Sequence, residues 1–372
     1  MPTGTTSPIY IPRGPEPKAI RPGESYFFVQ VKNAQAAFTG PFWEGVNSMI
    51  VTSQVNLNHP ILGNEPIRAI QRSISVKKER AEQLGMSPNL IKLVPATMPN
   101  VSISIDFVLD KENHLASLAG LINDDAFLSA ISLAPGAAAV ARTVGTLSQK
   151  LLQTFLKPEE REPILAFSGD LNVADGLPDG YYVIFGTRDE KNPLPNPMPK
   201  LEVRNDTLLA DDKPVTQLSY VLMEVRGLSA RTRDLNDGAV WNEKLRQAEG
   251  AAMRVKSNPL VSDEERKQAW QECLNILKEA QLLLLADPNY LNTEATNIIK
   301  AAYANCYKDV YGAEQSRSAF TVPKGAEVQQ PDLRVSRSFL GIAQGENIEE
   351  SLDKYAEEVI ETRRALKAAG LA

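Results

Sequence analysis

Apolar and polar residues alternate most cleanly at Val101–Leu109, where Val101, Ile103, Ile105, Phe107 and Leu109 are separated by Ser102, Ser104, Asp106 and Val108. Period two is the signature of a half-buried strand, and the rest of the chain is read around this run. Earlier strand signals come from Tyr26–Val31, from Val51, Val55 and Leu57 alternating with Thr52, Gln54 and Asn56, from Ile67 through Val76, and from Leu90–Val94. Turn-forming stretches such as Asn58-His59-Pro60 and Gly63-Asn64-Glu65-Pro66 separate them.

After Leu109 the pattern turns helical for about fifty residues. Leu115, Leu118, Leu121 and Ile122 form one stripe, Pro135-Gly136 interrupts, and Val140, Val144, Leu147, Leu151 and Phe155 repeat at helix spacing. Strand signals resume at Ile164–Phe167 and Tyr181–Phe185. A hairpin is expected from Leu201–Arg204 to Thr207–Leu209, turning at Asn205-Asp206, and a last strand at Leu218–Val225. Short strands with Gly, Pro and Asn punctuation, not alternating with helices, predict an antiparallel β-sandwich with an inserted helical pair at about 112–157.

Beyond about residue 235 the period changes to 3.6. One helix is expected over Ala239–Val255. A second opens at the capping box Ser262-Asp263-Glu264-Glu265 and carries Trp270, Leu274, Leu277 and Leu284. Its end, Leu282–Leu285, is apolar all round and is expected to be buried. Asp287-Pro288 reads as the N-cap and first position of a third helix, forming an antiparallel hairpin with the second. A final helix from Asn347 places Ile348, Leu352, Tyr355, Val359, Thr362 and Leu366 on a heptad-like seam.

The expected fold class is α+β and multidomain. A Pro-rich extended arm (1–23) precedes the sandwich (24–230), then come a helical domain (236–312), a linker (313–346) and the seam helix (347–370).

Composition narrows function mainly by exclusion. With 43% apolar and 23% charged residues the chain is that of a folded globular protein, and a net charge of −6 supplies no global field for nucleic acid. No signal-peptide pattern or membrane-length apolar run is present, so a cytoplasmic location is expected, with peripheral membrane contact by the excursion as the weaker option. Cys273 and Cys306, the two cysteines, are too few for a disulfide scaffold and read as small buried hydrophobes. The two histidines, His59 and His114, lie in different segments without a nucleophile motif, and His-Glu-x-x-His, Gly-x-Ser-x-Gly, a Walker A loop and a dinucleotide fingerprint are absent.

Asp170, Asn172, Asp175 and Asp179 between two strands offer oxygen donors of the kind Ca²⁺ takes. Asp-Gly twice in the same stretch is also ordinary turn chemistry.

The expected function is therefore a non-enzymatic component of a protein–protein assembly, working with a protein partner or as a homo-oligomer. Ile348, Leu352, Tyr355 and Val359, with Val140, Val144, Leu147 and Leu151, are the expected contact residues. Two alternatives are a calcium-dependent peripheral lipid- or ligand-binding module using the four-residue loop, and a carboxylate-based hydrolase, for which any sequence supplies the acids.

Overall fold

The computed structural model describes residues 7–37, 48–56, 67–73, 82–85, 89–110, 161–186, 199–231, 238–258, 260–312 and 347–368. The chain divides into two compact units, Met1–Gly227 and Leu228–Ala372. Antiparallel sheets make up the first and helices the second, so the protein is α+β. The helical excursion expected at 112–157, with Val140, Val144, Leu147 and Leu151, lies outside the described residues, as does the expected linker at 313–346.

In the first unit the alternating run becomes β8 (Asn100–Asp110), a central strand of a four-stranded sheet with β4 (Ser48–Asn56), β5 (Ile67–Ser73) and β9 (Arg161–Asn172) in the order β5-β4-β8-β9. Val101, Ile103, Ile105 and Phe107 are buried, whereas Ser102 and Asp106 are exposed. Register with β9 sets Ser102 opposite Asp170 and Ser104 opposite Ser168, and both pairs are hydrogen-bonded, at 2.6 and 3.1 Å. One face of the β8–β9 pair is thus a polar ladder and the other a core surface.

The six-stranded sheet runs β1 (Ile9–Pro12), β11 (Gly180–Phe185), β15 (Tyr220–Leu228), β3 (Tyr26–Ala36) and β6 (Glu82–Gly85), with β7 (Asn89–Pro95) also pairing β3. Phe27, Val29 and Val31 from β3, Ile184 from β11 and Val221 from β15 share one core with Val101–Phe107 of β8 and Leu165, Phe167 and Leu171 of β9.

Two smaller sheets complete the unit. β2 (Ala19–Ile20) pairs with β10 (Leu177–Pro178), and β12 (Leu201–Arg204), β13 (Thr207–Ala210) and β14 (Lys213–Pro214) form a meander. The first turn of the meander is the expected Asn205-Asp206, with φ of 49° and 60°. A second, Asp211-Asp212, has φ of 47° and 64°. Asn and Asp tolerate this left-handed geometry, which suits the twist of tight hairpins.

In the second unit, α1 (Val240–Lys256), α2 (Asp263–Leu285) and α3 (Asn292–Tyr311) are antiparallel in sequence, as their end-to-end ties show. Trp241 at the start of α1 donates to Asp287 just past α2 (2.9 Å), and Arg266 at the start of α2 donates to the Val310 carbonyl at the end of α3 (2.6 Å). The expected capping box at Ser262 is formed in full.

The third helix begins differently from expectation. Its N-cap is Leu291, not Asp287. Asp287 instead closes a turn, accepting the Asn289 backbone N–H and side-chain amide at 2.9 Å each, while its other oxygen takes the Trp241 indole N–H. With both oxygens engaged it is unavailable as a helix cap.

Candidate interaction surfaces

The last helix, α4 (Ile348–Ala368), carries the expected seam. Ile348 is fully buried in the helical core with Trp270, Leu277, Ile298 and Tyr303, and Leu352 and Tyr355 are partly buried against that cluster. Val359 is half-buried, and Thr362 and Leu366 are buried. Ile348, Leu352 and Tyr355 therefore meet the helices of their own chain.

A polar clasp locks this packing. Glu294, in the first turn of α3 and 2% exposed, accepts the Arg231 backbone N–H on both carboxylate oxygens, each at 2.7 Å. It also accepts the Tyr355 hydroxyl at 3.1 Å. The Thr362 hydroxyl donates to the Ala230 carbonyl at 2.9 Å. Arg231 lies with its guanidinium 5.4 Å from the centre of the Tyr290 ring, which in turn meets Trp241 edge-on. Burial and the neighbouring Glu294 charge push the Tyr355 phenol well above its ordinary range, so it donates and does not ionise. One buried carboxylate thereby gathers the segment entering the unit, α3 and α4.

Trp270 organises the other end of the core. Its ring meets Tyr303 and Tyr307 edge-on at 5.1 Å and Tyr311 at 6.2 Å. These tyrosines are spaced by four along α3 and so share one face.

The two cysteines are buried and unbridged, as expected of small hydrophobes. Cys273 donates to the Ala248 carbonyl at 3.4 Å. Hydrogen bonding with Cys273, together with burial, pushes the Cys306 thiol up, which suppresses thiolate chemistry there.

The end of α2 departs from expectation. Leu284 is fully buried, but Leu282, Leu283 and Leu285 are 67%, 41% and 43% exposed. Leu284 continues the stripe of Trp270, Leu274 and Leu277 at helical spacing, and its three neighbours fall off that stripe. Val240, 66% exposed, sits at the same end of the bundle, because the adjacent Trp241 is tied to Asp287. The same stripe arithmetic, applied to the sequence, would have separated Leu284 from the other three.

Across the stretch from the end of β9 to the start of β11, each of the four oxygen-bearing residues is engaged. Asp170 accepts from Ser102; Asn172 donates to Asp175 at 2.6 Å, and the Asp175 N–H returns to the Asn172 side-chain oxygen at 3.3 Å. Asp179, 9% exposed, accepts the Gly227 backbone N–H at 3.1 Å. Burial holds its carboxyl above the usual carboxylate range, opposed by that hydrogen bond and by the charges of Arg13, Arg226 and Lys18. Among the described residues no group of three or more His, Cys, Asp or Glu side chains could hold a metal ion.

No family model matches the chain, and no curated protein does.

Among the described residues no helix is long and apolar enough to cross a membrane. What these surfaces offer chemically is apolar contact at the end of α2 and strand pairing at the first edge of the six-stranded sheet. Along that edge, β1 lies antiparallel to β11, with Ile9 opposite Val183, Tyr10 opposite Tyr182 and Pro12 opposite Gly180. Tyr10 donates to the Asp179 carbonyl at 3.0 Å, and Arg13 pairs with the nearly buried Glu224 at 2.9 Å. Part of the Pro-rich arm is thus an edge strand, a sheet position that tolerates proline. Residues 1–6 of the arm lie outside the described residues.

Proposed function

We propose that this protein is a non-enzymatic component of a protein assembly, with a protein partner or a second copy of itself seated on the exposed end of α2. The observation that carries the reading is the exposure of Leu282, Leu283 and Leu285 within the last turn of α2, with Val240 at the same end. Leucines scattered singly on a surface need no partner, but several together form the kind of patch that protein contacts cover. Because each is already partly withdrawn from water, covering the rest would contribute about 1 kcal/mol per leucine, enough for the group to support an interface. The seam residues Ile348, Leu352, Tyr355 and Val359 support that face from within by fixing α4 on the bundle. We also infer that the two larger sheets pack face to face as a sandwich, supported by the single core drawn from both, and that the protein works in the cytoplasm.

The test is substitution at the exposed face. Leu282→Asp with Leu285→Asp alters side chains that the bundle does not bury, so the helical signal should persist while association weakens by tenfold or more. Association unchanged by both aspartates would refute the assignment of this face.

A further inference from the structure

We propose that β1 exchanges between two copies of this chain, each copy placing its Ile9–Pro12 strand on the β11 edge of the other. The inference rests on the assembly reading and names a second copy as the partner and the first sheet edge as the second contact.

Three observations carry it. First, among the described strands β1 is an edge strand paired with β11 alone, so its release leaves the other described pairings of the six-stranded sheet intact. Second, the chain is anchored again immediately afterwards. Ile20 is 1% exposed, and Ala19-Ile20 pair with Leu177-Pro178 as β2 and β10. Exchange therefore needs only the segment Arg13–Lys18, between the two pairings, to change course, and every residue of that segment is exposed. Third, that segment carries Pro15 and Pro17, and a Cβ added at Gly14 would meet nothing within 4 Å. The pairings return this link to the same edge, Pro12 opposite Gly180 and Ala19 opposite Pro178, so it loops out, and Pro15 and Pro17, which favour extended backbone, bias it towards opening. The six residues Arg13–Lys18 span up to about 20 Å when extended, enough to carry a strand to a neighbouring sheet edge.

The contacts that hold β1 are the same in the closed and exchanged forms. Ile11 is 3% exposed among Val183, Phe185, Leu208, Tyr220 and Leu222; Tyr10 reaches the Asp179 carbonyl and Arg13 reaches Glu224. Exchange then costs only association entropy, and the extended link and a second interface at α2 offset it. Fit on the β11 edge is close. A Cβ at Gly180 would stand 2.8 Å from the Ile11 carbonyl oxygen and 2.6 Å from the Tyr10 ring, so Gly180→Ala should deny the edge to the arm of either copy.

The experiment mixes two full-length single variants, Ile9→Cys and Val183→Cys, positions that face each other across β1 and β11. Neither chain alone holds both thiols of the pair. After co-incubation at high protein concentration, a short thiol-to-thiol cross-linker is added and the products are separated under denaturing conditions. Exchange predicts a two-chain product in up to about half of the dimers, absent when Gly180→Ala is added to the Val183→Cys chain and absent without introduced cysteines. The double variant Ile9→Cys/Val183→Cys in one chain, diluted, should close within itself and so shows that the strand pair forms with both cysteines present. A mixture that gives no two-chain product while the diluted double variant does close overturns the exchange. If light scattering shows assembled chains in that same mixture, the exchange fails and self-assembly stands; if the chains are monomeric, the exchange and self-assembly both fail and the α2 face is left to a different protein partner.

Discussion

Glu294→Ala should be among the most damaging single substitutions in the helical unit. Its carboxylate is 2% exposed and accepts the Arg231 N–H at 2.7 Å on each oxygen and the Tyr355 hydroxyl at 3.1 Å. Arg231 is itself 5% exposed, so its backbone N–H has no bulk water to turn to when the carboxylate is removed. Hydrogen bonds to a charged acceptor contribute about 1.5–3 kcal/mol each, and leaving a buried group unpaired adds to the loss. Two such bonds give about 4 kcal/mol, which lowers the melting temperature of a unit of this size by about 10 °C. Tyr355→Phe removes one donor to the same charged acceptor and should cost about 2 kcal/mol. Two of the three tryptophans, Trp241 and Trp270, lie in this unit, so tryptophan fluorescence during a thermal ramp follows its unfolding. A Glu294→Ala chain that melts within 2 °C of the parent would refute the clasp as a stabilising element.

Four further outcomes follow from the same geometry. Trp270→Ala removes the ring that Tyr303, Tyr307 and Tyr311 pack against and should cost about 3–5 kcal/mol, read from the helical circular-dichroism signal on heating. Ser262→Ala opens the capping box of α2 and should cost about 1 kcal/mol, read as a shift in urea midpoint with unchanged slope. Asp179 has its carboxyl raised by burial, so the folded state binds its proton more tightly than the unfolded chain does, and its contribution to stability falls as pH rises through that window. Asp179→Asn should therefore raise the melting temperature at pH 7 relative to the parent, with the difference vanishing at pH 3; a difference that grows towards low pH would contradict this. Because Asp170, Asn172, Asp175 and Asp179 are engaged with protein donors or acceptors, millimolar Ca²⁺ should leave the melting temperature unchanged, whereas a saturable calorimetric isotherm would restore the calcium-dependent alternative.

Local signals carried well from sequence to structure where one interaction dominates the pattern. Val101–Phe107 alternates because one face of β8 meets a core and the other water, and that alone fixes a strand. Ser262 and Glu265 satisfy each other within four residues, and Asn205-Asp206 make a tight turn with no distant partner. Less was legible where the deciding partner is remote. Ile9–Pro12 pair with residues about 170 positions away, and proline content alone indicates only an extended segment. Asp287 could cap a helix or close a turn, and the choice falls to Trp241, on another helix. Glu294 reads as an ordinary acidic residue in a first helical turn; only the fold brings Arg231 and Tyr355 to it. Composition makes Leu282–Leu285 uniformly apolar, whereas phase on the helix separates the buried Leu284 from its exposed neighbours.

Removing the seam helix would be a poor probe of assembly, because Ile348, Ala365 and Leu366 are part of the buried interior and their loss would uncover it. The direct measurement is light scattering behind a sizing column on the full chain over a hundredfold range of concentration, alone and with the Leu282→Asp/Leu285→Asp variant. An assembled species in the parent that dissociates in the variant at equal concentration is the expected result. A parent that stays monomeric throughout, with the variant indistinguishable from it, would contradict self-assembly through this face and leave it to a different protein partner.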